Sequence, residues 1–175
     1  MLSRQVLKGI ESMSDYKGDN ILEKLGALVP GFAGYAQREG RRKSDKLLRM
    51  SLAKEVHDKK QVLDDIVQGL SNEGKLATVS HFDAIRRQLD LIGNRLAYAN
   101  YGTSGFFDIV QINEIDLDRV YSHDLAMVAS VRECLQKVDR LSTAADPLRL
   151  VSDIRDGLKH IETLIDGHNK ILVEA

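Results

Sequence analysis

The chain has 175 residues, of which 43% are hydrophobic and 29% charged, with a formal net charge of −1. That length suits one domain with a core that buries roughly 70% of the unfolded surface, and the composition excludes disorder of the whole chain. A charge this close to zero excludes a global field towards nucleic acid or membrane, so any such attraction must come from local segregation of charge.

Two prolines, no tryptophan and 5% aromatic residues favour long helices over a sandwich or barrel. The single cysteine, Cys134, cannot form an intramolecular disulfide, which points to a reducing compartment. No run reaches the roughly 18 apolar residues that span a bilayer. The stretch MLSRQVLKGIESM lacks the uninterrupted apolar core of a secretory signal. The expectation is a cytoplasmic protein.

In chain order, residues 1–13 place Leu2, Val6, Leu7, Ile10 and Met13 on one face of a short helix, opposite Arg4 and Lys8. SDYKGDN breaks that pattern. A second short helix is predicted over 20–28, with Ile21, Leu22, Leu25 and Leu28 inward, before Pro30, Gly31 and Gly34 interrupt. From about Tyr35 to Leu70 the pattern is one long helix. Leu52, Val56, Lys59, Leu63, Ile66 and Leu70 follow alternating steps of four and three, the spacing of a packed seam. Gly74 suits a left-handed C-terminal cap.

The next helix, about Leu76 to Ala99, repeats the step pattern in Phe82, Ile85, Leu89, Ile92, Leu96 and Ala99. A glycine-containing break over 100–113 precedes a helix with Leu117, Tyr121, Val128, Val131, Leu135 and Val138 on one seam. Asp146-Pro147 supplies the N-cap and first position of the last helix, whose seam is Val151, Ile154, Leu158, Ile161, Ile165 and Leu172. The expected fold is all-α: an antiparallel bundle of four long helices with one or two short N-terminal helices. Residues 1–34 form an arm and 35–175 the bundle, within a single domain.

Lys59, Asp124 and His168 land where the seams ask for apolar residues. Drift of the seam would leave them at its edge. The alternative is a core polar network, which would fix helix register more than it adds stability.

Residues 38–49, REGRRKSDKLLR, hold six basic residues against Glu39 and Asp45. Arg38, Arg42, Lys46 and Arg49 fall at steps of four, four and three, a cationic stripe on a helix. Read as structure, it is a solvated face with Glu39–Lys43 and Asp45–Arg49 pairs. Read as function, Arg38, Arg41, Arg42, Lys46 and Arg49 would bind an acidic protein, a membrane surface or nucleic-acid phosphates. Tyr98, Tyr101, Phe106 and Phe107 crowd into ten residues, either as a packed plug or as a partner-docking loop.

The di-iron pattern Glu-x-x-His is absent, as are the nucleotide-binding glycine loops and the serine-hydrolase elbow. No metal, cofactor or small-molecule substrate is therefore inferred. Any enzymatic site would have to be assembled around Asp108, Asp118, His123 and Asp124.

GYAQREGRRKSDKLLR (34–49) and RLAYANYGTSGFFDIVQINEIDLDRVYSHDL (95–125) together resemble a family of uncharacterised prokaryotic helical proteins. In that pattern an aromatic–glycine loop leads into Phe106, Phe107 and Asp108, followed by Leu117, Asp118, Arg119 and Tyr121 on a helix. The resemblance implies an intracellular bacterial or archaeal origin and no particular activity. The expected function is that of a non-catalytic interaction or scaffold protein that self-associates. The alternative is a binder of anionic surfaces through the basic stripe.

Overall fold

Each apolar seam becomes the buried line of a rod. The computed structural model describes residues 20–98, 114–144 and 146–174. A short helix α1 spans 20–28. Four long helices follow: α2 (Arg38–Asn72), α3 (Leu76–Ala97), α4 (Glu114–Asp139) and α5 (Pro147–Glu174). A 3-10 turn, Leu141–Thr143, links the last two. The described residues contain no helix long and apolar enough to cross a membrane.

The ends follow the sequence signals. Asp146 Oδ1 accepts the Arg149 N–H at 3.1 Å, so the Asp-Pro pair caps α5 as its chemistry dictates. Gly74 adopts φ +72 just beyond α2, the left-handed conformation that lets the chain reverse within three residues into α3. The helix expected over 1–13 and the aromatic residues Tyr101, Phe106 and Phe107 lie outside the described residues.

Helices α2/α3 and α4/α5 form two antiparallel hairpins. They lie side by side, with α2 against α4 and α3 against α5. Glu55 pairs with Arg132 and Lys59 with Asp139, so numbers rise together along α2 and α4, and these two helices run parallel. Helices α3 and α4, consecutive in the chain, are not among the extensively packed pairs. The helices joined by short connections are antiparallel, as expected, and the contacts between the two hairpins are parallel. Both hairpin turns sit at one end, and α2 and α4 begin at the other.

The core is continuous. Leu52, Val56 and Leu63 of α2 meet Ile85, Leu89 and Ile92 of α3, Val128 and Val131 of α4, and Ile154, Leu158 and Ile161 of α5. Leu25 of α1, with Val29 and Phe32 beyond it, joins the same cluster, so the described part of the 1–34 arm is built into the bundle. Arg132 fastens it there, donating to the Leu28 carbonyl at 2.8 Å while pairing with Glu55 at 2.7 Å. That satisfies a carbonyl at the end of α1 which the helix itself leaves open.

Gly34 marks the tightest approach. Its φ is +78, and a Cβ there would lie 2.6 Å from the Tyr121 hydroxyl and 2.8 Å from Leu22. Gly34→Ala is expected to lower stability by about 2 kcal/mol or more, from backbone strain and the clash together. Gly69→Ala, on an open face of α2 with no atom within 4 Å of the new Cβ, should instead raise it by about 0.5–1 kcal/mol. Urea unfolding of both variants measures the contrast.

Candidate functional site

Polar side chains gather inside the bundle at the end where α2 and α4 begin and α5 finishes. Asp45 and Asp124 are fully buried, His168 is 1% exposed and Arg49 2%. His168 Nε2 lies 2.7 Å from Asp45 Oδ1, and His168 Nδ1 lies 2.8 Å from Asp124 Oδ1. Arg49 Nε donates to both Asp45 oxygens, at 3.1 and 3.2 Å, and its Nη2 donates to Asn169 Oδ1 at 2.8 Å. The Tyr35 hydroxyl donates to Asp124 Oδ2 at 2.6 Å.

The protonation of His168 follows from this geometry. A neutral imidazole carries one N–H and could satisfy one carboxylate; two carboxylates, one at each nitrogen, require the imidazolium. Burial by itself would push the His168 pKa down, but the charges and hydrogen bonds of Asp124 and Asp45 outweigh it, and the pKa rises to about 9. Asp45 is subject to the same opposition. Burial raises its pKa, yet the His168 hydrogen bond and the Arg49 charge carry it below the ordinary 3.8. Two carboxylates, one imidazolium and one guanidinium cancel in formal charge, the condition under which ions are tolerated in a low-dielectric interior.

Asp124 Oδ1 is the least comfortable atom. It stands at ion-pair distance from His168 Nδ1 but has no aligned hydrogen bond, so charge rather than a well-directed N–H holds it. The Tyr35 phenol is a firm donor to the other oxygen. Burial and the nearby Asp124 and Asp45 charges push its pKa well above 10. Tyr35 also ties the 29–37 connection to the bundle. Its backbone N–H donates to the Tyr121 hydroxyl at 2.7 Å, its carbonyl accepts from Arg41 Nε at 2.9 Å, and its ring stacks on Tyr121 at 5.4 Å between centroids.

Two of the three interrupted seam positions are therefore brought together. Asp124 and His168 touch; Lys59 does not join them. It sits half-buried further along α2 and pairs with Asp139 at 2.7 Å. The long Lys59 side chain reaches the edge of the α2–α4 contact, where its ammonium keeps access to water.

The basic run divides. Arg41 and Arg49, expected on the cationic face, point inward and are 3% and 2% exposed. Arg42 and Lys46 stay exposed, and the side chain of Arg38 lies outside the described residues. The reason is legible in retrospect. The alternation continued backwards from Leu52 gives Arg49 and Asp45, and one further step of four, rather than three, gives Arg41. The seam thus runs straight into the basic run, and Asp45–Arg49 is a core pair rather than a surface pair. Tyr35 precedes α2, so no periodicity could have found it.

Of the remaining candidates, Tyr98 is 82% exposed at the end of α3. Asp118 and His123 line a shallow open groove with Arg119 and Ile171, where His123 Nε2 contacts the Leu164 carbonyl at 2.7 Å. Asp124 faces away from that groove into the core, and Asp108 lies outside the described residues. Cys134 is buried beside Ile154, and burial pushes its thiol up to about 11, far from a reactive thiolate. Among the described residues no group of His, Cys, Asp or Glu has the arrangement of a metal site.

No protein-family model, curated protein or solved structure matches the chain.

The network sets a pH dependence. The raised pKa of His168 contributes stability that is complete below about 6.5 and lost as pH rises through about 9. The lowered pKa of Asp45 contributes stability present above 3.8 and lost as pH falls through its folded value. Together the two groups give a plateau between those limits and a decline on the alkaline side, measurable as the urea midpoint against pH. Asp124→Leu should cost about 3–5 kcal/mol, because it breaks a buried ion pair and orphans the Tyr35 hydroxyl. Adding His168→Leu removes the opposite charge, and should recover much of the loss and flatten the alkaline limb. A gain in stability from Asp124→Leu alone, with assembly unchanged, would disprove the network.

Proposed function

We propose that the protein is a non-catalytic interaction or scaffold protein of the reducing cell interior, and that it self-associates through the end carrying both hairpin turns. The observation that carries this reading is the apolar character of that end. Leu76 at the start of α3 is 68% exposed and Leu148 in the first turn of α5 is 52% exposed. Between the hairpins lies an open groove floored by Ile66, Leu70, Phe82, Leu141 and Pro147. Leucines flanking an open apolar groove are the surface a second copy can cover, since each copy offers both the projections and the recess.

The non-catalytic part of the reading draws on where the reactive groups lie. Both nitrogens of His168 are committed to carboxylates, and neither is free to exchange a proton with a bound molecule. The buried Cys134 thiol supports a reducing environment.

Multi-angle light scattering of the full chain should give a mass that is a multiple of the single chain. Leu76→Glu combined with Leu148→Glu should return it to the single-chain value with helicity unchanged, because both side chains are exposed. A strict monomer at high concentration would remove self-association.

A further inference from the structure

We propose that a second surface, the groove between the first half of α2 and the end of α3, docks an acidic amphipathic helix of a partner protein. This extends the interaction-protein reading to the opposite end of the bundle from the hairpin turns, so the two can fail separately. The groove is lined by Pro30, Leu47, Met50, Ala53, Ala97 and Tyr98, with Lys54 and His57 at its edge. Met50 is 46% exposed and Tyr98 82%. From Leu47 to His57 the floor runs about 15 Å along α2, three turns, which matches the i, i+3/i+4, i+7 anchors of a helix laid in a groove. Methionine adapts to varied apolar side chains, and tyrosine supplies a large rigid contact with a polar tip.

The charge of the rim selects the partner. Lys43, Lys46 and Lys54 follow one another along the exposed face of α2 beside the groove. Their acidic neighbours are occupied elsewhere. Asp45 is withdrawn into the core by His168 and Arg49, and Glu55 faces Arg132; Lys54 is itself paired with Asp58 at 2.7 Å, so the uncompensated charge of this rim is that of Lys43 and Lys46. Among the described residues no carboxylate lies within ion-pair distance of Lys43 or Lys46. The core network therefore shapes the surface charge: by burying Asp45 it removes from this face the carboxylate that lies between Lys43 and Lys46 in the chain.

Three features favour an acidic helix over other occupants. Between the exposed Met50 and Tyr98 the floor is recessed, with Ala53 buried and Leu47 and Ala97 half-buried, a shape that suits a rod better than a flat bilayer. The exposed faces of this chain's own helices mix their charges. On α5, for example, Asp153, Asp156 and Asp166 alternate with Arg155, Lys159 and Lys170, so this described face is not an acidic rod. The floor has no stacking platform beyond Tyr98, which disfavours single-stranded nucleic acid.

The test is fluorescence anisotropy of the full chain with a labelled helical peptide of about 18 residues, leucine on one face and glutamate on the others. Saturable binding that weakens with salt is expected. Met50→Glu and Lys46→Glu should each weaken it about tenfold or more, with circular dichroism and melting temperature unchanged. Lys43→Glu with Lys46→Glu should shift preference to a leucine–lysine peptide. Peptide binding should persist in the Leu76→Glu, Leu148→Glu variant, which separates this surface from self-association. Absence of peptide binding overturns the proposal, as does equal affinity for the lysine peptide. Loss of self-association in Met50→Glu would assign the groove to a second copy and overturn it. Binding to phosphatidylglycerol vesicles through Lys46 without peptide binding would assign it to membranes, with the same consequence.

Discussion

The imidazolium of His168 held between Asp45 and Asp124 is the contact on which the rest of the arrangement turns. A carboxylate inside a bundle is tolerated only beside a cation with suitable hydrogen bonds. Two carboxylates from different helices, meeting one histidine from a third, leave a single solution in space. Helices α2, α4 and α5 must bring those three residues to the same depth. Arg49 completes the neutrality and carries the link on to Asn169 of α5. Tyr35 extends it to the connection that holds α1 in place.

Such a cluster specifies more than it stabilises. Apolar seams of alternating four- and three-residue steps interdigitate almost equally well after a slip of one turn, because each turn presents a similar leucine or isoleucine. A slipped bundle would leave Asp45 or Asp124 buried without its partner, an arrangement costing several kcal/mol. The same register is read again further down, where Glu55 meets Arg132, Lys59 meets Asp139 and Arg95 meets Asp166. Those pairs are more exposed and individually weak. The buried cluster decides, and the surface pairs agree with it.

The cluster also divides the molecule's polar chemistry between inside and outside. Arg41, Asp45, Arg49, Asp124 and His168 are spent on one another and on Tyr35. Among the described residues, Lys43 and Lys46 stay exposed on α2 while the carboxylate between them, Asp45, is buried. By holding Asp45 inside, the cluster makes the surface charge of α2 a consequence of how the interior is neutralised.

Much of this was already written in the chain. Spacing of Leu, Ile and Val placed the helices, and Asp146-Pro147 and Gly74 placed two of their ends, because these effects act over a single turn and need no knowledge of neighbours. Asp124 and His168 stood out for the same reason, as polar residues on apolar seams. The partner of that pair was hidden. Asp45 and Arg49 looked like a surface pair within a basic run, since a helix viewed alone cannot say how far towards its start the buried line extends. Only the packing of α4 and α5 against α2 settled that, turning Asp45, Arg41 and Arg49 inward and leaving Lys59 at the edge. It also set the hairpins side by side with parallel contacts. Local periodicity fixes which face of each rod avoids water, but which rods share a face, and where charges meet, is settled by desolvation and charge balance among residues more than a hundred positions apart.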